Sequence, residues 1–359
     1  MITVSERVSF GQRSLRAGLA YLHCRKEQKV MINQSDATNP GAIPSQASLR
    51  DYLAIARFDH MTKHVFIIPG IVLAYAIHQG AAHFSIDRLV IGFLSAILIA
   101  SANYVINEWL DRESDAFHPV KSKRTAVHHA LSPTLVYAEY FTLLLLGLFL
   151  GYQLGHLFFV ASVAFGLSGI SYNVEPIRTK DKVYLDVISE SVNNPIRLVL
   201  GWAMVDPSAL PPVSLVIAYW AGGAFLMGAK RLSEYRDVVA GQGVEMLHRY
   251  RKSFRSYSSE NLTVSCFLYA MLSAFFIAVF LIKYRLEYIV AFPFIAGLFA
   301  IYMWLALRQG SVAQRPERLF RSRRLLAATG LAVLAVAVAT FVDLPWLDSL
   351  SQPYLIKVD

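Results

Sequence analysis

Nine apolar stretches, each close to the ~20 residues a helix needs to cross the hydrocarbon core of a bilayer, dominate this sequence and leave it few ways to fold. They lie near residues 64–80, 88–106, 134–153, 156–172, 185–204, 212–229, 263–283, 287–307 and 325–343. Within lipid every backbone donor and acceptor must be satisfied inside the segment, so the expectation is an all-α polytopic membrane protein, a bundle of about nine transmembrane helices around a central cavity. With 55% hydrophobic and 16% charged residues in 359, little chain is left for a soluble domain. Residues 1–48 read as a mobile polar tail in which Met31 is a second candidate start, 49–345 as the transmembrane domain and 346–359 as a short C-terminal tail. The fifth stretch differs from the rest. It carries Asp186, Glu190, Asn193, Asn194 and Arg197, so it should face protein or a watery cavity rather than lipid.

A net charge of +9 would suggest nucleic acid in a soluble protein, but its distribution gives another explanation. If the N-terminus is cytoplasmic, the loops 107–133, 173–184, 230–262 and 308–324 carry twenty Lys and Arg, whereas the opposite side carries Arg88, Lys283 and Arg285. This is the positive-inside pattern, and it predicts an integral protein of a bacterial inner membrane with its charged loops in the cytoplasm. It needs no nucleic acid, and no obligate protein partner is inferred. Cys24 lies in the polar tail and Cys266 in an apolar run, which argues against a disulfide framework.

The chemistry is expected in those loops. In Asn103-Tyr-Val-Ile-Asn107-Glu108-Trp-Leu-Asp111-Arg-Glu-Ser-Asp115, the residues Asn107, Asp111 and Asp115 recur every four positions and share one helix face. Carboxylates stacked at a membrane boundary repel, and a hard cation such as magnesium, which takes one or two carboxylates plus phosphate oxygens, would relieve them. An ordinary solvated helix end is the plainer reading. The chain continues His118-Pro119-Val-Lys121-Ser-Lys123-Arg124, placing phosphate-gripping cations beside the acids, unless they serve as topology signals alone.

A second cluster, Lys230-Arg231-Leu-Ser-Glu234-Tyr235-Arg236-Asp237, closes the sixth stretch. A Lys230 to Glu234 pair one turn apart would explain two of its residues but not Arg231 or Asp237. A third stretch, Tyr172-Asn173 through Arg178, Lys180, Asp181, Lys182 and Tyr184 to Asp186, adds cations on the same side, with lipid anchoring the alternative for Lys180 and Lys182. Asp186 and Arg197 either shape the cavity or satisfy each other as a buried pair. A duplicated bundle would bring the two main clusters together at one mouth.

These residues resemble the UbiA superfamily of intramembrane prenyltransferases over roughly residues 50–345. The family's first signature, Asn-Asp-x-x-Asp-x-x-x-Asp after the second helix, is matched by Asn107-Glu108-Trp-Leu-Asp111-Arg-Glu-Ser-Asp115, with Glu108 in place of Asp. Its second signature, Lys-Asp-x-x-Asp, is met by Lys230-Arg231-Leu-Ser-Glu234, where Arg231 replaces a metal-binding acid. His118-Pro-x-Lys121, Lys230-Arg231-x-x-Glu234 and Arg57-Phe-Asp-His60-Met-Thr-Lys63 look most like the branch that makes polyprenyl-phosphoryl phosphoribose, although Lys-Ser-Lys-Arg lacks the Pro that follows there.

The resemblance implies a magnesium-dependent transferase that expels diphosphate from a diphosphate-bearing substrate and acts on a polyprenyl lipid. The favoured form is phosphoribosyl transfer from phosphoribosyl diphosphate to polyprenyl phosphate. The alternative is prenyl transfer from a prenyl diphosphate to an aromatic or other small acceptor, and a reading of another class is a lipid or ion transporter. By this carry-over Asn107, Asp111 and Asp115 hold magnesium and diphosphate, and Lys121, Arg124, Lys230 and Arg231 grip phosphate, with Arg178 beside them. Glu234 positions a cation or the metal's water, while Asp186 and Arg197 shape the substrate cavity.

Overall fold

The computed structural model describes residues 45–78, 85–284, 286–310 and 322–347. The chain divides into two units, Met1–Ser45 and Gln46–Asp359, and everything below belongs to the second. Most of the tail expected at 1–48, most of that expected at 346–359, and Cys24 lie outside the described residues.

The architecture is helical. A short helix α1 (Leu49–Ile55) opens on a capping box in which the Ser48 amide donates to the Asp51 carboxylate at 2.7 Å. A 3-10 stretch, Phe58–Ile67, runs into α2 (Ile68–Ile77). Then follow α3 (Ile86–Asp115), one turn α4 (Thr125–His128), α5 (Pro133–Gln153), α6 (His156–Asn173), α7 (Leu185–Ser191), α8 (Asn193–Val205) and α9 (Val213–Gln242). The rest comprises α10 (Val244–Tyr250), α11 (Ser259–Tyr284), α12 (Phe292–Ala306) behind a 3-10 lead at Leu286–Ala291, and α13 (Arg323–Phe341).

Six of these helical segments are long and apolar enough to cross a membrane, namely α3, α5, α9, α11, α12 with its lead, and α13. The other three expected spans are present as shorter or more polar helices. The first is interrupted by its 3-10 portion, leaving an apolar run at Thr62–Ile77. The fourth, α6, ends on Ser171, Tyr172 and Asn173. The fifth breaks into α7 and α8 around Val192, and Pro195 supplies the reason: it cannot donate to the Ser191 carbonyl, and its ring crowds that group. The outer faces are apolar, with Leu145, Phe149, Phe267, Phe275, Leu331 and Val333 all exposed, as suits an integral membrane protein.

Two devices hold the interior helices at fixed depth. Where α2 meets α8 the backbones touch: a Cβ on Gly70 would fall on the Leu198 carbonyl, and one on Gly201 on the Ile67 carbonyl. At the end of the bundle opposite the charged clusters, the Arg88 guanidinium donates to the carbonyls of Met204 (3.0 Å), Ala203 (3.1 Å) and Leu154 (2.9 Å), which close α8 and follow α5. Between them Ile67, Ile99, Phe158, Phe165, Leu200 and Met204 form a buried core.

Candidate functional site

The last turns of α3, the turn after α6, the start of α7 and the last third of α9 converge, so clusters far apart in sequence share one network of charges. The direct link between the two main clusters is His118, whose Nε2 lies 3.1 Å from Glu234 Oε1. His118 Nδ1 accepts from the amides of Val120 (3.1 Å) and Lys121 (3.2 Å), which leaves the proton on Nε2 to donate to Glu234. Burial holds this imidazole below its ordinary pKa, with Glu234 pulling the other way. Tyr250 packs against the ring at 4.5 Å between centroids, tilted by 53°, and donates its hydroxyl to Glu234 at 3.2 Å.

Around the first cluster each carboxylate already holds cations. Asp111 Oδ1 accepts from Lys180 Nζ at 2.5 Å and Arg178 at 3.1 Å; Asp115 is paired with Arg124 and, at 3.7 Å, with Lys121. Asn107 donates to Asp111 (3.1 Å) and to Asn173 (2.6 Å), so the four-residue spacing does place these side chains together. Burial draws the Lys180 ammonium down to about 8, the Asp111 charge opposing it, and burial likewise lowers Lys121 against the pull of Asp115.

Around the second cluster the roles expected from sequence shift. Arg231, 2% exposed, is enclosed by three carboxylates, with Asp186 at 3.3 Å, Glu190 at 2.6 Å and Glu234 at 3.3 Å. A guanidinium so enclosed is first of all a fixed internal cation. Glu234 pairs with Arg231, not with Lys230 one turn back. Asp186 is fully buried and holds Arg231, Arg251 (3.4 Å), Ser253 and Tyr257, so the Asp186 to Arg197 pair does not form. Arg197 instead stacks on Phe165 and donates to the Asn193 carbonyl. Asp237 accepts from the Gly310 amide at 3.0 Å, tying α9 to the end of α12.

Several participants escape a sequence reading. Lys180, for which the sequence leaves a cation of the mouth and a lipid anchor both open, is buried on Asp111 and Asn173. Arg251 crosses from the segment after α10 to Tyr172 (2.9 Å) and Asp186, and although burial disfavours its charge, Tyr172 and the surrounding acids hold it well above its ordinary range. Glu108 pairs with Arg57 at 2.9 Å and accepts from the Ala126 amide, pinning the turn after the first cluster. A pocket at the mouth is lined by Asp111, Asp115, Lys121, Arg178, Lys180 and Arg251, among others.

Among the described residues no three His, Cys, Asp or Glu side chains form a ready metal cage. The available donors are Asn107, Asp111 and Asp115 on one face of α3. That set matches a magnesium ion that keeps waters and completes its shell with phosphate oxygens, and does not match a closed protein site.

Residues 66–327 match the model of the UbiA prenyltransferase family. The chain is similar to protoheme IX farnesyltransferase of Bacillus mycoides, with 23% identity over 59% of this chain and 69% of that protein, and to the Bacillus cereus protein of the same name at 25% over 57% and 67%. In fold it resembles a UbiA homologue from Archaeoglobus fulgidus bound to GPP and Mg2+, with a TM-score of 0.61 and 20% identity over 80% of this chain and 98% of that one. It also resembles digeranylgeranylglyceryl phosphate synthase, with a TM-score of 0.54 and 12% identity over 84% and 96%. With the family signature on α3 and a family match over most of its length, the chain belongs to the UbiA prenyltransferase family.

Proposed function

We propose that this protein is an intramembrane transferase that binds a prenyl diphosphate with magnesium, lets diphosphate leave, and passes the prenyl group to a second substrate at the charged mouth. The carrying observation is the pairing of Asp111 and Asp115, buried on one helix face, with cations from two separate segments, the turn after α3 and the turn after α6. The relatives named above support the donor class: two are farnesyltransferases, and one structure holds GPP with Mg2+. The bias of Lys and Arg among the loops supports a mouth on the cytoplasmic side.

The chemical task is to stabilise negative charge growing on the leaving group, and preorganised donors in a dry site do this best. Asp111 and Asp115, with Asn107, would hold magnesium, which when bound neutralises diphosphate charge. Lys121, Arg124, Arg178 and Lys180, displaced from the carboxylates, are placed to grip phosphate oxygens. Arg231 has a different task, keeping Asp186, Glu190 and Glu234 in register. Glu234 in turn fixes His118, and through it the loop that bears Lys121.

A second reading, phosphoribosyl transfer to a polyprenyl phosphate, is favoured by one observation. The mouth pocket is lined by six Lys and Arg (Lys121, Arg178, Lys180, Arg249, Arg251, Lys252) against three Asp, more cation than one magnesium-bound diphosphate requires. None of the relatives named above bears the name of a phosphoribosyltransferase.

Nanodisc-embedded protein with magnesium, offered geranyl or farnesyl diphosphate plus aromatic acceptors, or phosphoribosyl diphosphate plus polyprenyl phosphate, is expected to release diphosphate with the first set. Asp111→Asn and Asp115→Asn are each expected to lower the rate about 100-fold. Full turnover in both correctly folded variants refutes the site, and turnover with the second set alone selects the second reading.

A further inference from the structure

Another concentration of cations lies on the outside of the bundle, where α12 ends and α13 begins. Trp304, in the last turn of α12, is exposed, and two guanidinium groups converge on its ring. Arg308, just past α12, has its guanidinium carbon 3.5 Å from the ring centroid, and Arg324, in the first turn of α13, has its own at 5.1 Å. Both arginines are exposed, as is Arg323 beside them, and none of the three forms an ion pair among the described residues. The patch lies on the same side of the membrane as the mouth, since the Gly310 amide donates to Asp237 at 3.0 Å, three residues past Glu234 on α9. The exposed Leu307 and Leu326 adjoin it with apolar surface.

Like charges gathered on one ring repel each other, and an indole face at an exposed site attracts each of them only weakly. Two of the arginines also open α13, whose first amides carry partial positive charge, and the first turn of that helix holds no acid. A tryptophan with one cation is an ordinary interfacial anchor, which explains Trp304 but not why a second guanidinium joins the first. Together the ring, the arginines and the helix start concentrate positive charge that calls for an anion. Both helices enter the membrane at these ends, so that anion must reach the boundary of the hydrocarbon layer. A lipid phosphodiester meets both demands: its oxygens accept from guanidinium groups, while its acyl chains lie against the apolar helices.

We propose that Arg308 and Arg324, held on Trp304, form with Arg323 a headgroup site for an anionic glycerophospholipid of the leaflet on the mouth's side. The site shares no residue with the charged network around Asp111 and Asp115, so it stands independently of the transferase reading. A bound headgroup neutralises the start of α13 and braces it against the end of α12, which Gly310 ties to α9.

The test uses the full chain in a neutral detergent, titrated with phosphatidylglycerol, with phosphatidylcholine and with soluble glycerol 1-phosphate. Bound lipid is counted by native mass spectrometry, and thermal stability is followed in parallel. Phosphatidylglycerol is expected to be retained about tenfold more tightly than phosphatidylcholine and to raise the unfolding temperature, while glycerol 1-phosphate does neither. The double variant Arg308→Gln/Arg324→Gln is expected to lose that preference. Lys283→Gln, which removes the cation beside Tyr284 at the other end of the bundle, is expected to keep it. If the double variant does not fold, Trp304→Leu carries the same expectation. Equal retention of both lipids by the wild type, a preference indifferent to the arginine and tryptophan substitutions, or an equal loss in Lys283→Gln overturns the proposal. Glycerol 1-phosphate binding as tightly as phosphatidylglycerol also overturns it, as the mark of a site for free phosphate.

Discussion

Replacing Arg231 by Met should cost about 3–5 kcal/mol of stability, because it removes one partner from a buried ionic network while leaving the others charged. The three carboxylates would not suffer equally. Asp186 keeps Arg251 at 3.4 Å and the hydroxyls of Ser253 and Tyr257, and Glu234 keeps His118 and Tyr250. Glu190 keeps one hydrogen bond, from the Tyr172 hydroxyl at 3.0 Å, so it loses the largest share of its direct partners. Arg231→Met combined with Glu190→Gln is therefore expected to be more stable than the single variant, with a coupling of about 1–3 kcal/mol. Unfolding in mixed micelles, followed by tryptophan fluorescence across the double-mutant cycle, measures both quantities. Strict additivity, or a single-variant cost below about 1 kcal/mol, would refute the claim that Arg231 is an internal counter-ion.

Arg88→Met should lower stability by about 2–3 kcal/mol, read in the same unfolding assay, since three carbonyls at the ends of α8 and α5 lose a charged donor. Gly201→Val should disrupt the α2 to α8 contact at about 1–3 kcal/mol or more, because its side chain would need the space of the Ile67 carbonyl; wild-type stability would contradict the close approach. The Lys180 ammonium, drawn down to about 8, competes with any metal for Asp111. It is charged below pH 8 and neutral above, so the half-saturating magnesium concentration for diphosphate release should fall as pH rises from 7 to 9. Lys180→Met should abolish that trend, and a trend that persists unchanged in the variant would contradict the competition.

The sequence exposes what is periodic or local. Asn107, Asp111 and Asp115 recur every four residues, and their alignment on α3 follows from helix geometry alone. The apolar runs are equally plain, and Pro195 was an available signal for the break between α7 and α8. What cannot be read is pairing across the bundle. Lys180 and Lys182 look alike in the chain, yet a 3-10 turn buries Lys180 on Asp111. Arg251 sits in an unremarkable basic loop, and its role at Asp186 depends on how α10 returns the chain over the mouth. Partner choice at separations of 65 to 69 residues depends on tertiary distances that no local pattern encodes.

The cations already seated on Asp111 and Asp115 make ligand entry at this mouth an exchange rather than an addition. An incoming phosphate recruits lysines and arginines that must first leave their acids, and an incoming cation needs the acids those side chains vacate, so each alone gains little and both together gain much. Such a mouth keeps its acids paired at rest, admits metal and polyanion as a pair, and resists being blocked by either one arriving first.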